Sequence, residues 1–101
     1  MQSITKRRFD ALAGYTRRPE VVLVAEELEW YSAGGDKVLG AVIRDRIDAD
    51  FSWIALGRDR VGRFRAVDLR VSISSQELAR RELVSRLNDL SNNPDESFHQ
   101  H

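Results

Sequence analysis

With 101 residues, the chain is long enough for one packed core and too short for two. Hydrophobic residues at 42% and charged residues at 32% support a core under a well-solvated surface and exclude disorder as the main state. A formal net charge of zero removes the bulk electrostatic signature of a nucleic-acid or membrane binder, and the lack of cysteine excludes disulfides, thiolate metal ligands and a cysteine nucleophile.

Ser3 is placed to cap a helix running to about Gly14, with Ile4, Phe9, Leu12 and Ala13 approximating one apolar stripe. Lys6, Arg7 and Arg8 fall near its start, where the helix dipole disfavours cations. Arg17-Arg18-Pro19 follows as a loop, because proline disfavours helical angles at the residue before it. Glu20 to Ser32 reads as a strand, with Val22, Val24, Leu28 and Trp30 on one side and Leu23, Glu27, Glu29 and Tyr31 on the other. Glu26 breaks the alternation, which a bulge near Ala25 to Glu27 or a short helical turn explains. Ala33-Gly34-Gly35-Asp36 predicts a tight hairpin, because adjacent glycines accept the positive φ angles it requires.

The returning strand, Lys37 to about Arg46, sets Leu39, Ala41 and Ile43 on one face and Val42 on the other. Gly40 within it marks a bulge or a close backbone approach. A charged connection through Asp50 leads to a third strand, Phe51 to Gly57, apolar on both faces and therefore central. Arg58 to Gly62 forms the next turn. Arg63 to Ile73 alternates most clearly, which predicts Val67, Leu69, Val71 and Ile73 inward and Asp68, Arg70 and Ser72 outward.

Ser74-Ser75-Gln76-Glu77 has capping-box spacing, Ser74 capping and Glu77 reaching back, and opens a helix to about Leu90. Its stripe of Ala79, Leu83, Leu87 and Leu90 should lie on the sheet, with Arg80, Arg81, Glu82 and Arg86 on the other side. The expected architecture is an α+β domain over residues 1–91: a four-stranded antiparallel β-meander with an N-terminal helix and a C-terminal helix packed on the sheet. Residues 92–101 read as a flexible tail or the start of a linker.

Catalytic groups are scarce. The only histidines, His99 and His101, lie in the tail, which leaves no histidine for an acid–base pair, a triad or a zinc site in the core. Asp45, Asp48 and Asp50 crowd one connection, but their spacing matches no EF-hand, and the interleaved Arg44 and Arg46 indicate a solvated ion-pair loop rather than a metal site. Gly57 to Arg63 is glycine-containing and basic. Without a Lys-Ser/Thr ending or a following helix, it reads as a hairpin rather than a phosphate cradle.

No metal, cofactor or catalytic residue is expected, and the chain is not expected to be an enzyme. Because interfaces favour Arg and aromatic side chains, the expected partner contacts are Arg58, Arg60, Arg63 and Arg65, the acidic Asp45, Asp48 and Asp50, and Tyr31. The partner is expected to be a protein. The alternative is nucleic acid, bound by the arginine-rich 58–65 hairpin with Trp30, Tyr31, Trp53 and Phe64 as stacking groups. A homodimer is compatible with these features.

No membrane partner is expected, since the longest apolar run, Val21 to Ala25, is far short of the roughly 20 residues that cross a bilayer. The charged N-terminal segment lacks the apolar stretch of a signal peptide, so the expected location is cytoplasmic.

Phe9-Asp10-Ala11-Leu12-Ala13-Gly14-Tyr15, the segment Val38 to Arg46 and Leu56-Gly57-Arg58-Asp59 together resemble the front part of larger uncharacterised bacterial or phage-borne proteins. The resemblance extends nearly to Pro94-Asp95-Glu96. It implies a module rather than a reaction, with an accessory N-terminal domain of a larger enzyme as one alternative. The expected function is a non-catalytic protein-interaction module, one form of which is a small inhibitor of a host nucleic-acid-handling complex in the manner of anti-CRISPR proteins.

Overall fold

The computed structural model describes residues 1–14 and 25–92. In chain order these form β1 Gln2–Ile4, α1 Lys6–Ala13, β2 Ala25–Ala33, β3 Val38–Asp45, β4 Phe51–Arg58, β5 Phe64–Ile73 and α2 Gln76–Asn92. The α+β class is as expected, with an antiparallel sheet and two helices. The sheet has five strands rather than four, in the order β1-β2-β3-β4-β5. The expected loop at residues 17–19, the strand residues 20–24 and the tail from residue 93 lie outside the described residues.

The fifth strand is β1, where Gln2, Ser3 and Ile4 pair with Ser32, Tyr31 and Trp30. Ser3 is therefore a strand residue, and Thr5 caps α1, its Oγ1 accepting from the Arg8 amide at 3.1 Å. Three residues are too few to show a period of two, and Ile4 suits the helical stripe equally well. Gly14 ends α1 as expected, at φ 67°, its N–H donating to the Asp10 carbonyl.

The hairpin after β2 places Gly34, Gly35 and Asp36 successively at φ 63°, 65° and 66°. The β2 register shifts between Glu27 and Glu29, so the bulge sits at Leu28, just beyond the expected position. Gly40 shows the close approach rather than a bulge. A Cβ there would lie 2.7 Å from Leu83 Cδ1 and 2.9 Å from Leu87 Cδ1, so its missing side chain lets α2 lie down on β3.

Each face of the sheet carries its own core. On one, Ala79, Leu83, Leu87 and Leu90 of α2 pack against Val38, Val42, Trp53, Ala55 and Ile73. On the other, Phe9 and Ala13 of α1 join Leu39, Ala41, Leu56 and Phe64. β4 is an interior strand, paired with β3 and β5, as its two apolar faces require.

Two expectations are corrected. In β5, Leu69 and Val71 are exposed, whereas Asp68 and Arg70 face α2 and bond to Arg86 and Glu82. The register of β5 slips opposite Ala55 and Leu56 and again between Phe51 and Trp53, and each slip reverses which residues point inward. At the start of α2 the cap is Ser75 rather than Ser74, its Oγ accepting from the Leu78 amide at 3.1 Å. With Ser75 as the cap the third helical residue is Leu78 rather than Glu77, so the expected capping box is replaced by a simple serine cap.

Candidate interaction surface

An antiparallel meander places successive turns at opposite ends. The β2–β3 turn at residues 34–37 and the β4–β5 turn at 59–63 share one end, and the β3–β4 connection occupies the other. The hairpin end collects Lys37, Arg60 and Arg63, and Arg8 joins α1 to the same end through a 2.7 Å ion pair with Asp36. Lys6 and Arg7 stand on the same helical turn as Arg8. The opposite end carries Asp45, Asp48 and Asp50 together with exposed Arg44 and Arg46. The cations of the hairpin end thus outnumber its acids, Asp36 and Asp59, which a net charge of zero over the whole chain does not reveal.

The tip between β4 and β5 is built by one side chain. Asp59 Oδ1 accepts from the amides of Val61 and Arg63 at 3.0 and 2.9 Å, and its Oδ2 accepts from Arg65 Nε at 2.7 Å. Its backbone N–H donates to the Arg63 carbonyl, and its carbonyl accepts from Gly62 N–H. Arg65 first and the Arg63 amide next hold the Asp59 carboxyl below its ordinary range. Arg58 crosses the loop to the Gly62 carbonyl at 3.0 Å and stacks over Phe64 with its guanidinium carbon 4.4 Å from the ring centroid.

Of the four arginines expected at this hairpin, Arg58 and Arg65 are thus part of its framework. Arg60 and Arg63 make no ion pair among the described residues, nor do Lys6, Arg7 and Lys37. Val61, between Arg60 and Arg63, is 73% exposed. The loop amides of Val61, Gly62 and Arg63 are all engaged internally, so no ring of free N–H groups exists to cradle a phosphate.

At the opposite end, Asp45 Oδ1 accepts from the amides of Ile47 and Asp48 at 2.7 and 3.0 Å, and these two bonds, Asp48 first, lower its pKa. Asp45 shapes the connection, while Asp48 and Asp50 are exposed. Among the described residues, no group of three or more His, Cys, Asp or Glu side chains is arranged to hold a metal ion.

Tyr31 is placed differently from the surface contact expected of it. It is 7% exposed, and its hydroxyl donates to Glu29 beside α2. Glu29 also receives Gln76 Nε2 at 2.6 Å and Arg80 through Nε and Nη2 at 2.6 and 2.9 Å. Arg80 above all brings the Glu29 carboxyl down to about 2, and burial first, then Glu29, pushes the Tyr31 phenol up to about 12. The cluster fastens β2 to the first turns of α2. Trp53 and Phe64 are likewise buried, Trp53 Nε1 donating to Glu82 at 3.1 Å, so neither offers a face for base stacking.

Sequence reasoning did not single out Lys6, Arg7, Lys37 and Val61, which the structure leaves exposed. The one available signal was the run of cations at the start of α1, against the helix dipole and without acidic residues in the first turn. No protein-family model, no curated protein and no solved structure matches this chain. No helix among the described residues is long and apolar enough to cross a membrane.

Proposed function

We propose that the protein is a non-catalytic interaction module that docks the hairpin end of its sheet on an acidic surface of a protein partner. The observation that carries this reading is the Asp59-braced tip, which presents exposed Val61 between Arg60 and Arg63, neither guanidinium having a carboxylate partner among the described residues. A braced loop loses little conformational entropy on docking, and an apolar contact between guanidinium groups has the composition of an interface centre. Lys37 and the first turn of α1 widen the cationic surface toward the neighbouring turn. Partner capture from host lysate, with and without nuclease, tests the proposal. A nuclease-resistant, stoichiometric protein lost by the double variant Arg60→Glu/Arg63→Glu supports it, and a partner that ignores the double variant refutes it.

Nucleic acid is the second reading, favoured by the same row of cations. Without an exposed stacking platform among the described residues, such binding would rest on phosphate contacts, with affinity falling steeply as salt rises. Nuclease-sensitive capture would transfer the assignment to it. In the setting that the resemblance to bacterial and phage-borne proteins implies, the acidic surface would belong to a host complex or to the remainder of a longer chain.

A further inference from the structure

β5 is ten residues long and, among the described residues, has no strand beyond it. Such an edge offers backbone groups to any extended segment. It also displays Leu69 and Val71 at 56% and 61% exposure. Its middle is self-complementary. In an antiparallel pairing with a second copy centred on Leu69, Asp68 of each strand stands opposite Arg70 of the other, both on the α2 side, and Leu69 meets Leu69 on the other side. A second copy of this chain is therefore the occupant the edge fits.

Several features of the same strand oppose that pairing. The two register slips against β4 confine the regular stretch to the residues around Leu69, and Ser72 takes φ 61°. The Leu69 N–H donates to Asp68 Oδ1 at 2.9 Å. The other oxygen of that carboxylate accepts from Arg86 Nε at 2.7 Å, and Arg70 is drawn to Glu82 at 2.7 Å. Both members of the cross-strand pair are thus already engaged with α2, and the central amide is occupied.

We infer that Asp68 guards the β5 edge: anchored by Arg86, it holds the Leu69 amide and keeps β5 from pairing with β5 of a second copy. Asp68→Ala removes the guard together with its own half of the charge pair, and leaves the pairing to the freed Leu69 amide and to the exposed Leu69 and Val71. Light scattering on a concentration series should show the mass of the folded variant climbing above that of wild type, from one chain toward two. Asp68→Ala/Leu69→Glu should return it to the wild-type value. A folded Asp68→Ala variant with wild-type mass at every concentration overturns the inference. Should that variant not fold, amide exchange by NMR on the wild-type protein decides: the Leu69 amide should be protected, and exchange at the rate of an open peptide overturns the inference.

Discussion

Glu29 of β2 and Arg80 of α2 meet as a bidentate pair, Nε to Oε1 at 2.6 Å and Nη2 to Oε2 at 2.9 Å, although 51 positions separate them in sequence. The pair sets the first turns of α2 beside β2, while Ser91, at the other end of the helix, reaches Gly34 in the hairpin turn. Glu29→Ala would strip the shared acceptor from Arg80, Gln76 and Tyr31. The expected loss is about 1–2 kcal/mol, or roughly 5–10 °C in Tm, read by a thermal melt. An unchanged Tm would mean that solvent screens the pair completely.

Acid should weaken the same contact. The Glu29 carboxyl lies at about 2 in the fold against an ordinary 4.5, so the stability it lends is full above about 4.5 and is lost as pH falls toward about 2. Asp45 and Asp59, also lowered, act in the same direction. Urea midpoints taken down this range should fall for wild type, and the gap between wild type and Arg80→Ala should close. A gap independent of pH would contradict the assignment.

Tyr31 gives the alkaline counterpart. Its phenol is raised from 10 to about 12, so the stability linked to its neutral form is complete below 10 and declines as pH rises toward 12. Phenolate absorbance should show one of the two tyrosines titrating near 12. Glu29→Gln should bring that step down only part of the way, because burial, the larger cause, remains.

Gly40→Ala places a methyl group 2.7 Å from Leu83 Cδ1 and 2.9 Å from Leu87 Cδ1, both leucines being fully buried. The expected cost is about 1–3 kcal/mol by overpacking. Denaturant titration measures it, and the double variant with Leu83→Ala should cost less than the sum of the two single changes. Strict additivity would show that the two sites do not touch.

Asp59→Ala should leave the sheet folded and release the hairpin tip. Amide exchange at Val61 and Arg63 should speed up while β4 and β5 keep their protection. Partner affinity should fall even though Arg60 and Arg63 are retained, since a loosened tip must be reordered on docking. Undiminished affinity would separate the brace from the binding surface.

Local chemistry made several elements legible in the amino-acid order. The double glycine announced its hairpin, the spacing of Ala79, Leu83, Leu87 and Leu90 announced α2 and its buried face, and Gly40 announced a bulge or a close approach, of which the structure shows the second. These signals depend on φ angles, on helical period and on side-chain size, all properties of a few neighbouring residues. The arginine-rich tip was legible as composition, but which of its guanidinium groups are engaged was not, because Asp59 and Phe64 select Arg65 and Arg58 in space.

Long-range pairing decided the rest. β1 exists because β2 offers it an edge, and three residues hold no pattern of their own. In β5 two slips against β4 turned Leu69 and Val71 outward and Asp68 and Arg70 toward α2, against a clean alternation in sequence. A bulge arises from the pairing of two strands, and one inserted residue reverses every side chain beyond it. Composition and local period determined the class of the fold and the identity of its helix and turns. Only the tertiary structure decided which faces are covered, which charges are neutralised and which arginines of the hairpin tip have no carboxylate partner among the described residues, because each of these depends on residues far apart in the chain.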